Sequence, residues 1–175
     1  MTGRVLFLDL ATTTGWCEGE PGKSPESGTI RLAPAGASPA AAFGGLIAFL
    51  GERLTARRYR LVAYEQPMDP RHLKTNINTA RKLIGMPAIV EGLCHQTGHS
   101  RVHEVGVHAI RKSLIGGRPA RGEAKREVTK HLHLLGYRPA DDNAADAIAG
   151  WLHVTAIIDP ESGARGGPLF AARRV

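Results

Sequence analysis

With 175 residues, 42% of them apolar, the chain is long enough to bury the core of one domain. No apolar run approaches the ~20 residues of a membrane span, and the short run near the N-terminus carries Asp9, so neither a membrane protein nor a secretion signal is expected. The net charge of +7, with nine Lys/Arg against three Glu between residues 101 and 138, points to a polyanionic partner.

In chain order, "RVLFLDL" (4–10) reads as a buried strand, "TGWCE" (14–18) as a second and "SGTIRL" (27–32) as a third, half-exposed one. Short turns between them, including "PGKSPE", make an antiparallel meander. Ser38 followed by Pro39 starts a helix, and Phe43, Leu46, Ile47, Leu50 and Leu54 line one face of residues 40–58. "LVAYE" (61–65) is a fourth strand. Residues 72–98 are helical in pattern, with a break expected at Gly85-Met86-Pro87 because Pro interrupts the hydrogen-bond ladder. "RVHEV" (101–105) is a fifth strand, "HAIRKSLIG" a short helix and "GGRPARG" (116–122) a mobile basic loop. A helix over 123–136 closes at Gly136, and the last helix runs over "DDNAADAIAGWLHVTAII" (141–158). The expected organisation is one α/β domain over 1–158, a five-stranded mixed sheet flanked by helices, with a flexible tail over 159–175. Cys17 and Cys94 have apolar neighbours and no metal-ligand spacing, so reduced, buried thiols and a cytoplasmic home are expected.

The acids carry the chemistry. Two strands end on carboxylates, Asp9 and Glu65, and the last helix begins with Asp141, Asp142 and, one turn on, Asp146. Strand ends and helix starts commonly build α/β active sites. Carboxylates brought together there repel one another and raise each other's pKa, and divalent cations relieve that repulsion. Two such ions about 4 Å apart can stabilise both the attacking and the leaving oxygen at a phosphorus. Asp142 and Asp146 are spaced i,i+4 and Asn143 and Asp146 i,i+3, so each pair shares a helix face, while Asp141 or Asp142 could instead cap the helix.

The blocks "FLDLATTTGW", "VAYEQP", "GGRPARGEAKREV" and "DNAADAIAGWLH", in that order over roughly residues 4–157, resemble the RuvC-type Holliday-junction resolvases of the RNase H-like nuclease superfamily. The resemblance implies an RNase H-like fold and a metal site built on Asp9, Glu65 and Asp146. Family members often carry Asp or His three residues before the last acid; here Asn143 stands there, and Asp142 is the alternative source of the fourth ligand. Lys112 and Lys125 match basic residues that contact DNA near the scissile phosphate. Met68 stands where bacterial members often have an aromatic that stacks on unpaired bases. The resemblance also implies a two-fold homodimer, with the helix at 72–98 at its interface, and the chain is as compact as phage-encoded members.

The expected activity is structure-selective cleavage of four-way or related branched DNA by metal-assisted phosphodiester hydrolysis. Two Mg²⁺ or Mn²⁺ ions would be held by Asp9, Glu65, Asp142 and Asp146, assisted by Asn143. Arg71, Lys74, Arg81, Arg111, Arg118, Arg121 and Arg126 are candidates for backbone contacts, which position DNA without reading its sequence. The alternatives are a non-catalytic branched-DNA-binding protein of the same fold and a nuclease for other branched or hybrid substrates. "DLATTTG" also resembles the phosphate-gripping turn of sugar-kinase and actin-like ATPases, but 175 residues leave no room for the second lobe those need.

Overall fold

Strand β1 (Arg4–Asp9) is the one on which the sheet is built. The computed structural model describes residues 3–69, 76–116 and 123–163. Within them β1 pairs antiparallel with β2 (Thr13–Gly19) and parallel with β4 (Tyr59–Glu65). β3 (Glu26–Arg31) extends the antiparallel side and β5 (Val102–Val105) the parallel side, giving the order β3-β2-β1-β4-β5. The expected mixed five-stranded sheet, flanked by helices in an α/β fold, is therefore present.

Both faces of β1 are covered, which is why its interior reads as an uninterrupted apolar run rather than an alternating one. Val5 and Phe7, with Leu61 and Ala63 of β4, face α3 (Val107–Ile115), α4 (Ala124–Leu134) and α5 (Asp142–Ile158). Leu6 and Leu8, with Val62 and Tyr64, face α1 (Pro39–Ala56) and α2 (Ile77–Gln96). A short α6 (Pro160–Gly163) follows α5, and the rest of the expected tail lies outside the described residues.

The α2 helix corrects one expectation. It runs unbroken through Pro87. Proline costs a helix one hydrogen bond and some room, but here the helix is held from outside. Met86, Val90 and Cys94 are buried, and Gly85 lies so close to α1 that a Cβ would stand 2.5 Å from the Phe43 ring. Tertiary packing outweighs the lost bond. At the other end Asn76 caps the helix, its side chain accepting from the Thr79 N–H at 2.9 Å.

α5 lies unusually close to the sheet. A Cβ on Gly150 would fall 2.1 Å from the Phe7 ring, and one on Gly15 would fall 2.0 Å from the Asn143 carbonyl oxygen. Trp151 Nε1 donates to the Val5 carbonyl at 3.2 Å. Two glycines, one on each element, thus let the helix backbone seat on β1 and β2. Neither Phe7, fully buried, nor a backbone carbonyl can move aside cheaply. Gly150→Ala should therefore lower the unfolding free energy by about 1–3 kcal/mol, the usual cost of overpacking. Urea denaturation checks this, and a wild-type midpoint would show that α5 is not clamped as described.

Candidate active site

The sheet register sets two acids side by side. Leu8 pairs with Tyr64 across the parallel β1–β4 ladder, so the next residues, Asp9 and Glu65, end neighbouring strands. Side chains alternate along a strand. Leu8 and Tyr64 face α1 and α2, so Asp9 and Glu65 turn to the opposite face, the one α5 covers. On α5 the third acid, Asp146, sits one turn in and is mostly buried.

The start of α5 is pinned by Asp141. Its side chain accepts from the Ala144 N–H at 2.9 Å and from the Thr29 hydroxyl of β3 at 2.6 Å. These bonds hold its carboxyl below the usual range, and they make it the cap rather than a site acid. The turn after Asp9 is fixed as well: the buried Thr14 hydroxyl donates to the Ala11 carbonyl at 2.6 Å.

Charge couples the three acids. Burial and then the Asp146 charge push Asp9 up to about 6, with Lys125 opposing. Burial and then Asp9 and Asp146 push Glu65 up to about 7, against Arg111 and Lys125. Burial raises Asp146, Lys125 and Arg111 oppose that, and Asp142 adds to it. Among the described residues no group of three or more His, Cys, Asp and Glu side chains is close-set enough to serve as a ready metal cage. What joins the three is charge: Asp146 acts on Asp9, and both act on Glu65.

The remaining expected site residues separate into three groups. Asp142 is exposed, at 66%, and shares Lys125 with Asp146: the ammonium stands 3.8 Å from each carboxylate. Asn143 is half-buried, its backbone carbonyl set against Gly15. Met68 is 60% exposed on the segment that follows Glu65, and Lys112 and Arg81 are exposed on α3 and α2. Arg71, Lys74, Arg118 and Arg121 lie outside the described residues.

Two cationic features are not evident from the sequence. Arg111, expected only as a backbone contact, is the α3 cation whose charge reaches Glu65 and Asp146. The face of α4 bearing Lys125, Arg126, Thr129, Lys130 and His133 lines a groove of 740 Å³ that runs up to Asp142. Its only signal is the i,i+4,i+8 spacing of residues 125, 129 and 133, which an amphipathic helix shows in any case.

No protein-family model matches the sequence, and no curated protein matches it either. Solved structures do match. A Thermus thermophilus RuvC structure aligns with a TM-score of 0.63 at 20% identity, over 89% of this chain and 95% of that one. The structure of T. thermophilus RuvC in complex with a Holliday junction substrate gives 0.62 at 19%, with the same coverage. The fold is that of RuvC. The resemblance thus holds at the level of the fold, in which Asp9 and Glu65 end neighbouring strands and Asp146 lies on α5.

Two outcomes follow from these charges. Asp9 and Glu65 titrate higher in the fold than their ordinary 3.8 and 4.5, so they favour the folded state below those values and lose that contribution as pH rises through about 6 and 7. In metal-free buffer, Glu65→Gln should therefore gain thermal stability relative to wild type between about pH 5 and pH 8. A stability difference that does not change over that range would mean that the Glu65 pKa is not raised in the fold. Arg111→Met should raise the Glu65 pKa further, whereas Lys112→Met should leave it in place; carboxyl ¹³C titration separates the two.

Proposed function

We propose that this chain is a metal-dependent endonuclease that cuts branched DNA, four-way junctions foremost. The observation that carries the reading is the convergence of three coupled carboxylates at the strand ends of a RuvC fold, beside a basic groove. That one of the similar structures is of RuvC with a Holliday junction substrate supplies the substrate class.

The donor set fits hard divalent cations. It consists of carboxylate oxygens, and both cysteines are buried in the cores, with burial pushing their thiols up. Burial first, and then the neighbouring acid charges, raise Asp9 and Glu65, a cost that a bound cation would offset. Asp9, Glu65 and Asp146 would hold Mg²⁺ or Mn²⁺, two ions per site. Asp142 is favoured over Asn143 as the fourth ligand, because it shares Lys125 with Asp146. Bound there, such ions supply Lewis-acid charge to the phosphate and a water of lowered pKa.

The chain's own residues do the rest. Lys125 sits between Asp142 and Asp146 and can turn from them to an incoming phosphate, and Arg111 supplies a second positive charge from α3. The groove along α4 continues the positive surface away from the acids, a track for one DNA arm's backbone. On α2, Ile77 and Ile84 are exposed at 73% and 64%, seven residues apart, with Ala88 on the same face. That stripe suits an isologous contact with a second copy, and a two-fold dimer would present two acid clusters to two symmetric strands of a junction. Among the described residues no helix is long and apolar enough to cross a membrane.

The test is a synthetic four-way junction incubated with Mg²⁺ or Mn²⁺, alongside a flap, a fork and an RNA–DNA hybrid. Wild type should cut the junction. Asp146→Asn should bind it but lose cleavage beyond the ~100-fold that losing a supporting partner costs. Binding should weaken steeply with salt, and Lys130→Met should flatten that dependence. Binding without cutting in any divalent metal would make the chain a junction-binding protein instead.

A further inference from the structure

β5 is the outermost strand on the parallel side of the sheet, so one of its edges is open. The Val62 N–H donates to the Arg101 carbonyl at 3.0 Å and the Gln66 N–H to the Val105 carbonyl at 2.8 Å. Backbone groups alternate in direction along a strand, so Val102 and Glu104 point theirs away from β4. Among the described residues no strand meets them. Beside this edge lies a cavity of 520 Å³ with apolar lining from Leu61, Val105, Ala109, Val154, Ile157 and Ile158. Ile157 is 64% exposed there, although it belongs to the helix that seals the core.

We propose that the β5 edge and this cavity together dock an extended acidic peptide of a partner protein, which adds a strand to β5 and buries a large apolar side chain in the cavity. Strand addition draws affinity from an open edge and specificity from a pocket for alternate side chains. Both parts are present and adjoin, since His103, Glu104 and Val105 belong to the strand and to the cavity's lining. The volume falls within the roughly 300–1,000 Å³ of pockets that bury compact ligands. Charge selects the peptide. Arg101 lines the cavity, is exposed, and has no carboxylate partner among the described residues. His103 and His153 line it as well. The one acid of the lining, Glu104, pairs with Tyr64 across the ladder, so its side chain belongs to the α1–α2 face and acts there on the Tyr64 hydroxyl. The cavity, on the α3–α5 face, keeps the positive groups and loses the negative one. A second copy of this chain would bring a second set of positive groups to the edge, and DNA would offer phosphates to mostly apolar walls. The site also stands clear of the acids. His153 to Ile158 lie seven to twelve residues beyond Asp146 on α5, about 10–18 Å along its axis. A docked peptide leaves the strand ends open, and the inference stands apart from the cleavage reading.

The test selects binders to the full chain from a phage library of random peptides about ten residues long, then measures synthetic copies by fluorescence anisotropy. Peptides with a large apolar residue flanked by Asp or Glu should emerge. Ile157→Asp and Arg101→Glu, both at exposed positions and checked for wild-type melting, should each weaken binding about tenfold, the second loss fading in high salt. N-methylation of alternate peptide amides should abolish binding in one register and spare it in the other. That readout leaves the protein unaltered, so it decides the matter even if a variant fails to fold. The proposal is overturned if no such peptides emerge, if they bind both variants as they bind wild type, or if the two methylation registers behave alike. It is overturned as well if Ile157→Asp splits a wild-type dimer, which would make the edge a contact between copies.

Discussion

The seating of α5 on β1 is the contact on which the rest depends. A helix of ordinary composition would stand off the sheet by the thickness of a side chain. Here Gly150 removes that side chain above Phe7, Gly15 removes another below the Asn143 carbonyl, and the Trp151 indole reaches under to the Val5 carbonyl. The helix is fixed at its other contact by Asp141, which spends its carboxylate on the Ala144 N–H and on Thr29 of β3. With height and start both set, Asp146 can only project towards the ends of β1 and β4. The placement of the third acid is therefore a packing result before it is a chemical one.

What that packing produces is an arrangement that costs energy. Three carboxylates are partly buried within reach of one another's charge, and burial and then that charge raise Asp9 to about 6 and Glu65 to about 7. Lys125 from α4 and Arg111 from α3 offset part of the cost, since each lowers what burial and repulsion raise. Neither cation closes the site. Lys125 remains 3.8 Å from its two carboxylates, outside hydrogen-bond range, and is more than half exposed. Lys125 thus stands beside acids whose burial and repulsion it offsets only in part. The same fold carries a different buried carboxylate, Glu18, with the opposite design: it accepts from the Tyr59 hydroxyl, lies near both Arg53 and Arg57, and is closed to solvent.

Much of this is legible in the residues alone, for a physical reason. Buried strands must be apolar to their ends, so a carboxylate closing "VLFLD" or "LVAYE" stands out against the burial pattern, and Asp146 within "AADAIAGW" stands out the same way. What is not legible depends on geometry that sequence encodes weakly. Pro87 is a helix breaker by local chemistry, and tertiary packing, the burial of Met86, Val90 and Cys94 and the approach of Gly85 to Phe43, overrides that tendency. Arg111 and Lys112 are equivalent as letters; the rotation of α3, set by the burial of Ile110 and Leu114, decides which one reaches the acids. The α4 groove is a matter of which turns of one helix are left uncovered by its neighbours.

The two faces of the sheet consequently divide the labour at one edge. On the α5 side, Asp9, Glu65 and Asp146 are crowded and only partly compensated by Lys125 and Arg111. On the α2 side, the same strand ends are lined by Leu10, Pro67 and Leu83, with Lys82 at the rim. The reason lies in the alternation that β1 hands on: Asp9 turns to one face and its neighbour Leu10 to the other, so a single step of the chain separates the acids from an apolar surface.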